Sequence, residues 1–257
     1  MGIERVTAWP SRYHAEELTA EDDVIDSSPP TGKVLLRLEA RSYFPMRYMA
    51  DQFSRALHER ACFCREYRTY NWEKLTLCYN TVYCGPVPLI DLHRIEPVFE
   101  ALKDYAPADI TVTYFPEQRD IHLLANLTNI IESRADLIQQ ALSLEDIPQI
   151  ILNDGFALGI SLSAFSYPKV EAVAYLMAQA CDFAASTGKA RMKPADGSNP
   201  KFQMRSWLLR LGFIGPAFER PRKTLLEALD GDSAFFSEDQ KKTQIARRRA
   251  RSMNTYV

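Results

Sequence analysis

Apolar and polar positions alternate along Lys33 to Phe44, where Val34, Leu36 and Leu38 are interleaved with Lys33, Arg37 and Glu39. A period of two predicts a half-buried strand. Pro45 follows and opens a helix whose buried stripe is Met46, Met49, Phe53, Ala56 and Leu57, because proline is tolerated at the first helical position. Alternation returns over 73–84 and predicts a second strand, which places Cys78 and Cys84 on one face. Gly85, Pro86 and Pro88 then force a loop, and 89–105 reads as helix with a break near Pro97. Ile110 to Phe115 is a third strand. The longest helix is expected over about 120–143, apolar on more than one face and therefore central. Two strand-like runs within 150–162 flank Asn153-Asp154-Gly155, a hairpin signal. Pro168 opens a further helix over about 168–187.

Three strand-like runs end in an aromatic-proline step before a helix, at 42–45, 113–116 and 165–168. Related βα elements would give this pattern, although proline is common at helix starts in any case. Strands and helices together predict an α+β body over 33–188. Residues 1–32 are polar and acidic and read as an N-terminal arm, with Trp9 and Tyr13 as anchors. A Gly/Pro-containing linker over 189–200 leads to a helix pair over 201–236, and 237–257 forms a basic tail. In the helix pair, Phe202, Trp207, Leu208, Leu211 and Phe213 supply one apolar face. Gly212, Gly215 and Pro216 end the first helix, and Leu225, Leu226 and Leu229 mark the second.

The same helix pair carries a motif. Phe202, Arg205, Leu208, Arg210, Leu211, Gly212, Phe213, Ile214 and Gly215 are followed by Arg222, Lys223, Leu225, Leu226, Leu229, Gly231, Ser233, Ala234 and Phe235. This pattern resembles the C-terminal signature of the "virulence-related protein" family, encoded by prophages and conjugative elements of gut bacteria. A looser likeness reaches back to about Ile110. The resemblance implies residence on a mobile genetic element, and the family lends no activity.

Hydrophobic residues make up 46% of the 257 residues, enough for a sizeable core. The formal net charge is −2, but it is unevenly distributed. From Lys189 onward there are fifteen Lys/Arg against seven Asp/Glu, which leaves sixteen against twenty-six before it. A basic C-terminal quarter on an acidic body suits DNA or RNA, or an acidic protein surface. No basic start followed by an apolar run indicates export, and no apolar stretch is long enough to span a bilayer. A cytoplasmic chain with reduced cysteines is expected.

His58, Cys62, Cys64, Cys78 and Cys84 invite a zinc reading, but Cys-x-Cys is tighter than a zinc knuckle, so core thiols are the expectation. No nucleophile elbow, Walker loop or dinucleotide fingerprint occurs, and neither a catalytic residue nor a cofactor is expected. The remaining chemistry is cationic. Arg205 and Arg210 interrupt the apolar face of the first helix. Arg220, Arg222 and Lys223 load the first turn of the second, where the helix dipole disfavours cations unless an anion offsets them. Arg247, Arg248, Arg249 and Arg251 ring the tail. These nine residues form the expected nucleic-acid-binding set, although Glu219, Glu227 or body carboxylates could pair with them instead. Two functions are weighed. One is a non-enzymatic accessory protein of a mobile element that binds nucleic acid. The other is an inhibitor of a host defence system, anti-CRISPR-like or otherwise, that binds a host or phage protein through its acidic body.

Overall fold

A computed structural model describes residues 32–40, 43–102, 105, 109–115, 121–152, 156–161, 165–190, 198–235 and 242–243. The fold is α+β, built on one antiparallel eight-stranded sheet. Its strands are β1 (Lys33–Glu39), β2 (Cys62–Cys64), β3 (Thr69–Asn71), β4 (Leu75–Cys78), β5 (Thr81–Pro88), β6 (Asp109–Phe115), β7 (Gln149–Leu152) and β8 (Phe156–Ser161). They lie in the order β2-β3-β4-β5-β1-β6-β8-β7. The three strands that lead into aromatic-proline steps, β1, β6 and β8, are therefore consecutive in the sheet.

Register explains the core. Leu38 faces Val82 on one side and Ile110 on the other, while Leu36 faces Cys84 and Val112. Leu77 extends the first row beyond Val82, and Ile160 extends it beyond Ile110. All of these side chains are buried, as a period of two on a half-buried sheet requires. The opposite face carries Arg37, Thr76, Tyr83 and Thr111, all partly exposed.

The helices are α1 (Met46–Leu57), α2 (Glu96–Ala101), α3 (Ile121–Glu132), α4 (Ala135–Leu142), α5 (Tyr167–Ser186), α6 (Pro200–Arg210) and α7 (Glu219–Glu227). The central one is α5. Thirteen of its twenty residues are buried, on every side of the helix. It packs on β6 beneath and against α3 and α7 beside and above. Alanines 172, 174, 178, 180 and 184 keep its surface shallow, so neighbouring backbones approach closely. Ser166 caps it by accepting from the Lys169 amide, and Pro168 sits in its first turn.

The expected long helix over 120–143 is instead two, α3 and α4. The chain turns at Ser133 and Arg134, where Arg134 adopts φ −131° and ψ 14°. Neither residue is a proline or glycine. The strand expected over 73–84 is likewise two strands, because Tyr79 takes the left-handed region at φ 46° and turns the chain. Cys78 and Cys84 consequently lie on opposite faces and not on one. Nor does the run from Gly85 to Pro88 end the strand. Gly85, at φ 106°, absorbs an irregularity opposite Val34 to Leu36, and β5 continues to Pro88. A Cβ at Gly85 would lie 2.5 Å from the Val34 carbonyl oxygen. Residues 89–95 form a 3-10 turn, so the boundary expected at Pro97 falls at the start of α2. All of the expected arm of 1–32 except Gly32, the turn at 153–155, most of the linker and nearly all of the tail lie outside the described residues.

Within the expected helix pair of 201–236 the chain forms α6 and α7, and their side chains join the same apolar core as the sheet through Met204, Trp207, Leu208, Phe213, Phe218 and Leu225. Asn199 closes it. Its Oδ1 accepts from the Phe202 amide, and its Nδ2 donates to the carbonyls of Asp232 and Phe235. One buried amide side chain thus caps α6 and fastens the segment after α7. Asn199→Ala should cost about 2 kcal/mol, one part lost cap and one part unsatisfied carbonyls. Urea denaturation would measure it, and a loss below about 0.5 kcal/mol would show the carbonyls to be satisfied by water.

Candidate functional site

Two groups of charged residues distinguish the helix pair. The first joins it to the body. Tyr167, Glu171 and Tyr175 recur every four residues along α5 and so form one stripe. Arg220, in the first turn of α7, reaches that stripe. Its Nη1 and Nη2 donate to Glu96 Oε2 and Oε1 at 3.1 and 2.5 Å. Its Nε lies 3.1 Å from Glu171 Oε2, and the guanidinium sits 5.1 Å from the centre of the Tyr167 ring. The Tyr167 hydroxyl donates to Glu171 Oε1 at 3.5 Å. Arg220 therefore has body carboxylates as its anions. A planar fork of donors meets two carboxylates and an aromatic face together, which a lysine would not do.

Burial pushes the Glu171 carboxyl above its ordinary range, and the Arg220 charge only partly opposes it. Burial likewise raises the Tyr167 phenol, with Glu171 and Glu96 adding to the rise. A carboxyl whose folded value is raised binds its proton more readily in the folded chain than in the unfolded chain. Its contribution to stability is full below the unfolded value, about 4.3, and is lost as pH rises through the folded value. Glu171→Gln removes this component. Across the range from about pH 4 to about pH 7, the wild-type melting temperature should therefore lose ground to the variant as pH rises. A difference that is constant with pH would contradict this linkage.

The second group is Arg205 and Arg222. Arg205 projects from the middle of α6 and Arg222 from the start of α7. Arg222 Nη1 donates to the Phe213 carbonyl at 2.9 Å, which ties α7 to the turn after α6. Burial draws the Arg205 guanidinium below its ordinary value, and the Arg222 charge draws it further. Both are partly buried, and among the described residues neither forms an ion pair. Two like charges are thus carried on packed helices, near enough for one to act on the other. An anion with several acceptor oxygens would suit the two forks together.

The other expected residues are placed differently. Arg210 is exposed in the last turn of α6, where the helix dipole favours a cation. Lys223 is exposed on α7. Arg247, Arg248, Arg249 and Arg251 lie outside the described residues. Among the cysteines, Cys62, Cys64 and Cys78 share the open face of the sheet through the β2, β3 and β4 register. Cys84 is buried on the opposite face, and burial pushes its thiol up. Among the described residues, no three His, Cys, Asp or Glu side chains converge as a metal site would need.

Glu96, Tyr167 and Glu171 are the partners of Arg220 that sequence reasoning did not name. Glu171 offered one signal, a lone carboxylate between Val170 and Ala172 on an otherwise apolar face. Compared with known proteins, the chain matches no protein-family model, and no curated protein matches it.

Proposed function

We propose that this chain is a non-enzymatic nucleic-acid-binding protein that grips the phosphate backbone through Arg205 and Arg222. The observation that carries the reading is that Arg205 and Arg222, on the packed helices α6 and α7, are both partly buried and, among the described residues, form no ion pair. Phosphate suits the pair because its oxygens accept from two planar donor forks together. Arg247, Arg248, Arg249 and Arg251 add a basic run next in the chain, suited to further phosphates without sequence preference. Arg220 is excluded from the binding set, since Glu96 and Glu171 engage it. The resemblance of residues 202–235 to the virulence-related proteins is the ground for proposing a place among the accessory proteins of mobile elements.

The test is a fluorescence-polarisation titration with labelled single- and double-stranded DNA and RNA at two salt concentrations. Each neutralised phosphate should add about −0.7 to −0.9 to the slope of log affinity on log salt. No binding even at low salt would overturn the reading and direct attention to a protein partner.

A further inference from the structure

A second basic region lies in the half of the chain whose net charge is acidic. Residues 33–74 hold nine Lys/Arg against five Asp/Glu. Arg47, Arg55, Arg60, Arg65 and Arg68 are all exposed, and among the described residues none of the five forms an ion pair. Exposed aromatic rings accompany them. Tyr43 is 78% exposed, Tyr67 66% and Tyr79 44%.

The register brings Arg65, Tyr67, Arg68 and Tyr79 to one end of the sheet. Cys64 pairs with Thr69, so residues 65–68 form the tip of the β2–β3 hairpin. Cys78 pairs with Thr81, so Tyr79 and Asn80 form the tip of the β4–β5 hairpin. Tyr70 faces Leu77, which brings the β3 start beside the β4 end and both tips to the same side. The β1 strand finishes there too, since Glu39 faces Thr81. Tyr43 follows it, tied to the second tip by the Phe44 amide, which donates to the Tyr79 carbonyl at 3.2 Å. The Tyr43 and Tyr79 rings stand 6.3 Å apart, edge to face. At about 4.8 Å per strand, the line from β1 to the β2–β3 tip covers roughly 15 to 19 Å, room for several bases. Arg65 and Arg68 occupy one end of that line. Arg47 stands near the other, in a shallow cleft of about 510 Å³ that it lines with Pro45, Met46, Tyr48 and Asp51.

Backbone strain falls on the same tips. Tyr79 has φ 46° and Arg68 φ 52°, a region where asparagine or glycine is the ordinary choice in a turn. Asn80, next to Tyr79, fastens the turn by donating to the Ala40 carbonyl and to Glu39. The turn thus has its own lock, and a bulky ring in the strained position is not needed to make it. Strain held at an exposed ring and an exposed cation points to what those side chains touch.

We infer that Tyr43, Tyr67 and Tyr79, with Arg47, Arg65 and Arg68, form a stacking platform for single-stranded nucleic acid. Exposed rings take base faces without regard to sequence, and the arginines take the phosphates between them. Glu66 is the single carboxylate in the β2–β3 tip, beside two arginines. The inference rests on the nucleic-acid reading above and specifies the form bound.

The experiment compares two labelled probes with the same number of phosphates, about twelve nucleotides of oligo-dT and its abasic counterpart. The full-length wild type should bind oligo-dT at least about tenfold more tightly than the abasic probe. Tyr43→Ala, Tyr67→Ala and Tyr79→Gly should each erode that preference about three- to tenfold and leave the salt slope unchanged. Tyr79→Gly is the variant safest to fold, because glycine relieves the φ 46° strain. Arg205→Ala should lower the salt slope on both probes and keep the preference for bases. Equal affinity for the two probes, or tyrosine variants that keep the preference, would overturn the platform and leave the phosphate reading of Arg205 and Arg222 intact. Failure of both probes to bind would overturn both. Capture of a proline-rich peptide by the same tyrosines, with no oligo-dT preference, would assign the rings to a protein partner.

Discussion

Arg220→Ala should destabilise the fold by about 2 kcal/mol, between the loss of a surface pair and that of a buried one, because the Arg220 side chain is itself 44% exposed. The two carboxylates it leaves behind are not equal. The Glu96 side chain is 39% exposed and rehydrates, so its share is that of a surface pair. The Glu171 side chain is only 10% exposed and remains against Tyr167 with no cation beside it. Most of the loss therefore belongs to Glu171. Arg220→Ala combined with Glu171→Gln should recover a large part of it, and a double-mutant cycle by urea denaturation reads the coupling directly. The same change should loosen α7 before the sheet melts, because Arg220 fastens α7 to α5 and α2. Faster amide exchange in α7 than in β1 would report this. An Arg220→Ala loss of only a few tenths of a kcal/mol would mean that the contact behaves as a surface salt bridge.

Arg205→Ala with Arg222→Ala should weaken nucleic-acid binding roughly a hundredfold and take about two units from the salt slope. A hydrogen bond to a charged group contributes about 1.5–3 kcal/mol, so each arginine is expected to account for about tenfold or more. Arg222 also holds the Phe213 carbonyl, and its loss carries a structural cost of its own. Arg222→Lys keeps the charge but not the fork, and separates the two effects. Arg210→Ala serves as the comparison, since Arg210 lies alone at the end of α6 and should shift affinity only modestly. Equal losses from Arg210→Ala and Arg205→Ala would dissolve the paired site into a general basic surface.

Much of this fold is written in short-range patterns. The alternation of Val34, Leu36 and Leu38 with Lys33, Arg37 and Glu39 becomes β1, and Ser166 and Pro168 mark the start of α5. The glycines after Leu211 separate α6 from α7 as expected, with Gly212 and Gly215 both at positive φ. The features that escaped have physical reasons. Three residues each of β2 and β3 are too few to display a period. The turn at Ser133 has no proline or glycine to announce it, and both flanking helices are apolar. Tyr79 occupies a turn position that sequence habit assigns to asparagine or glycine. At the candidate site, the surplus of cations was visible, but their partners were not. Arg220 meets Glu96 across 124 residues of chain, and nothing local sets that pairing apart from the equally charged Arg222 two residues on. Only tertiary packing decides which arginine is neutralised and which is left for an anion.

The position of α5 in the chain has a consequence for biosynthesis. Every strand of the sheet leaves the ribosome before Tyr167 does, yet α5 is the helix that seals β6 at the sheet centre. Until the twenty residues of α5 have emerged, the row of Ile110, Val112 and Tyr114 faces water without its cover. Nascent chains that have emerged only as far as Ser161 should therefore be chaperone clients, whereas those that have emerged past Ser186 should bury that surface and be released.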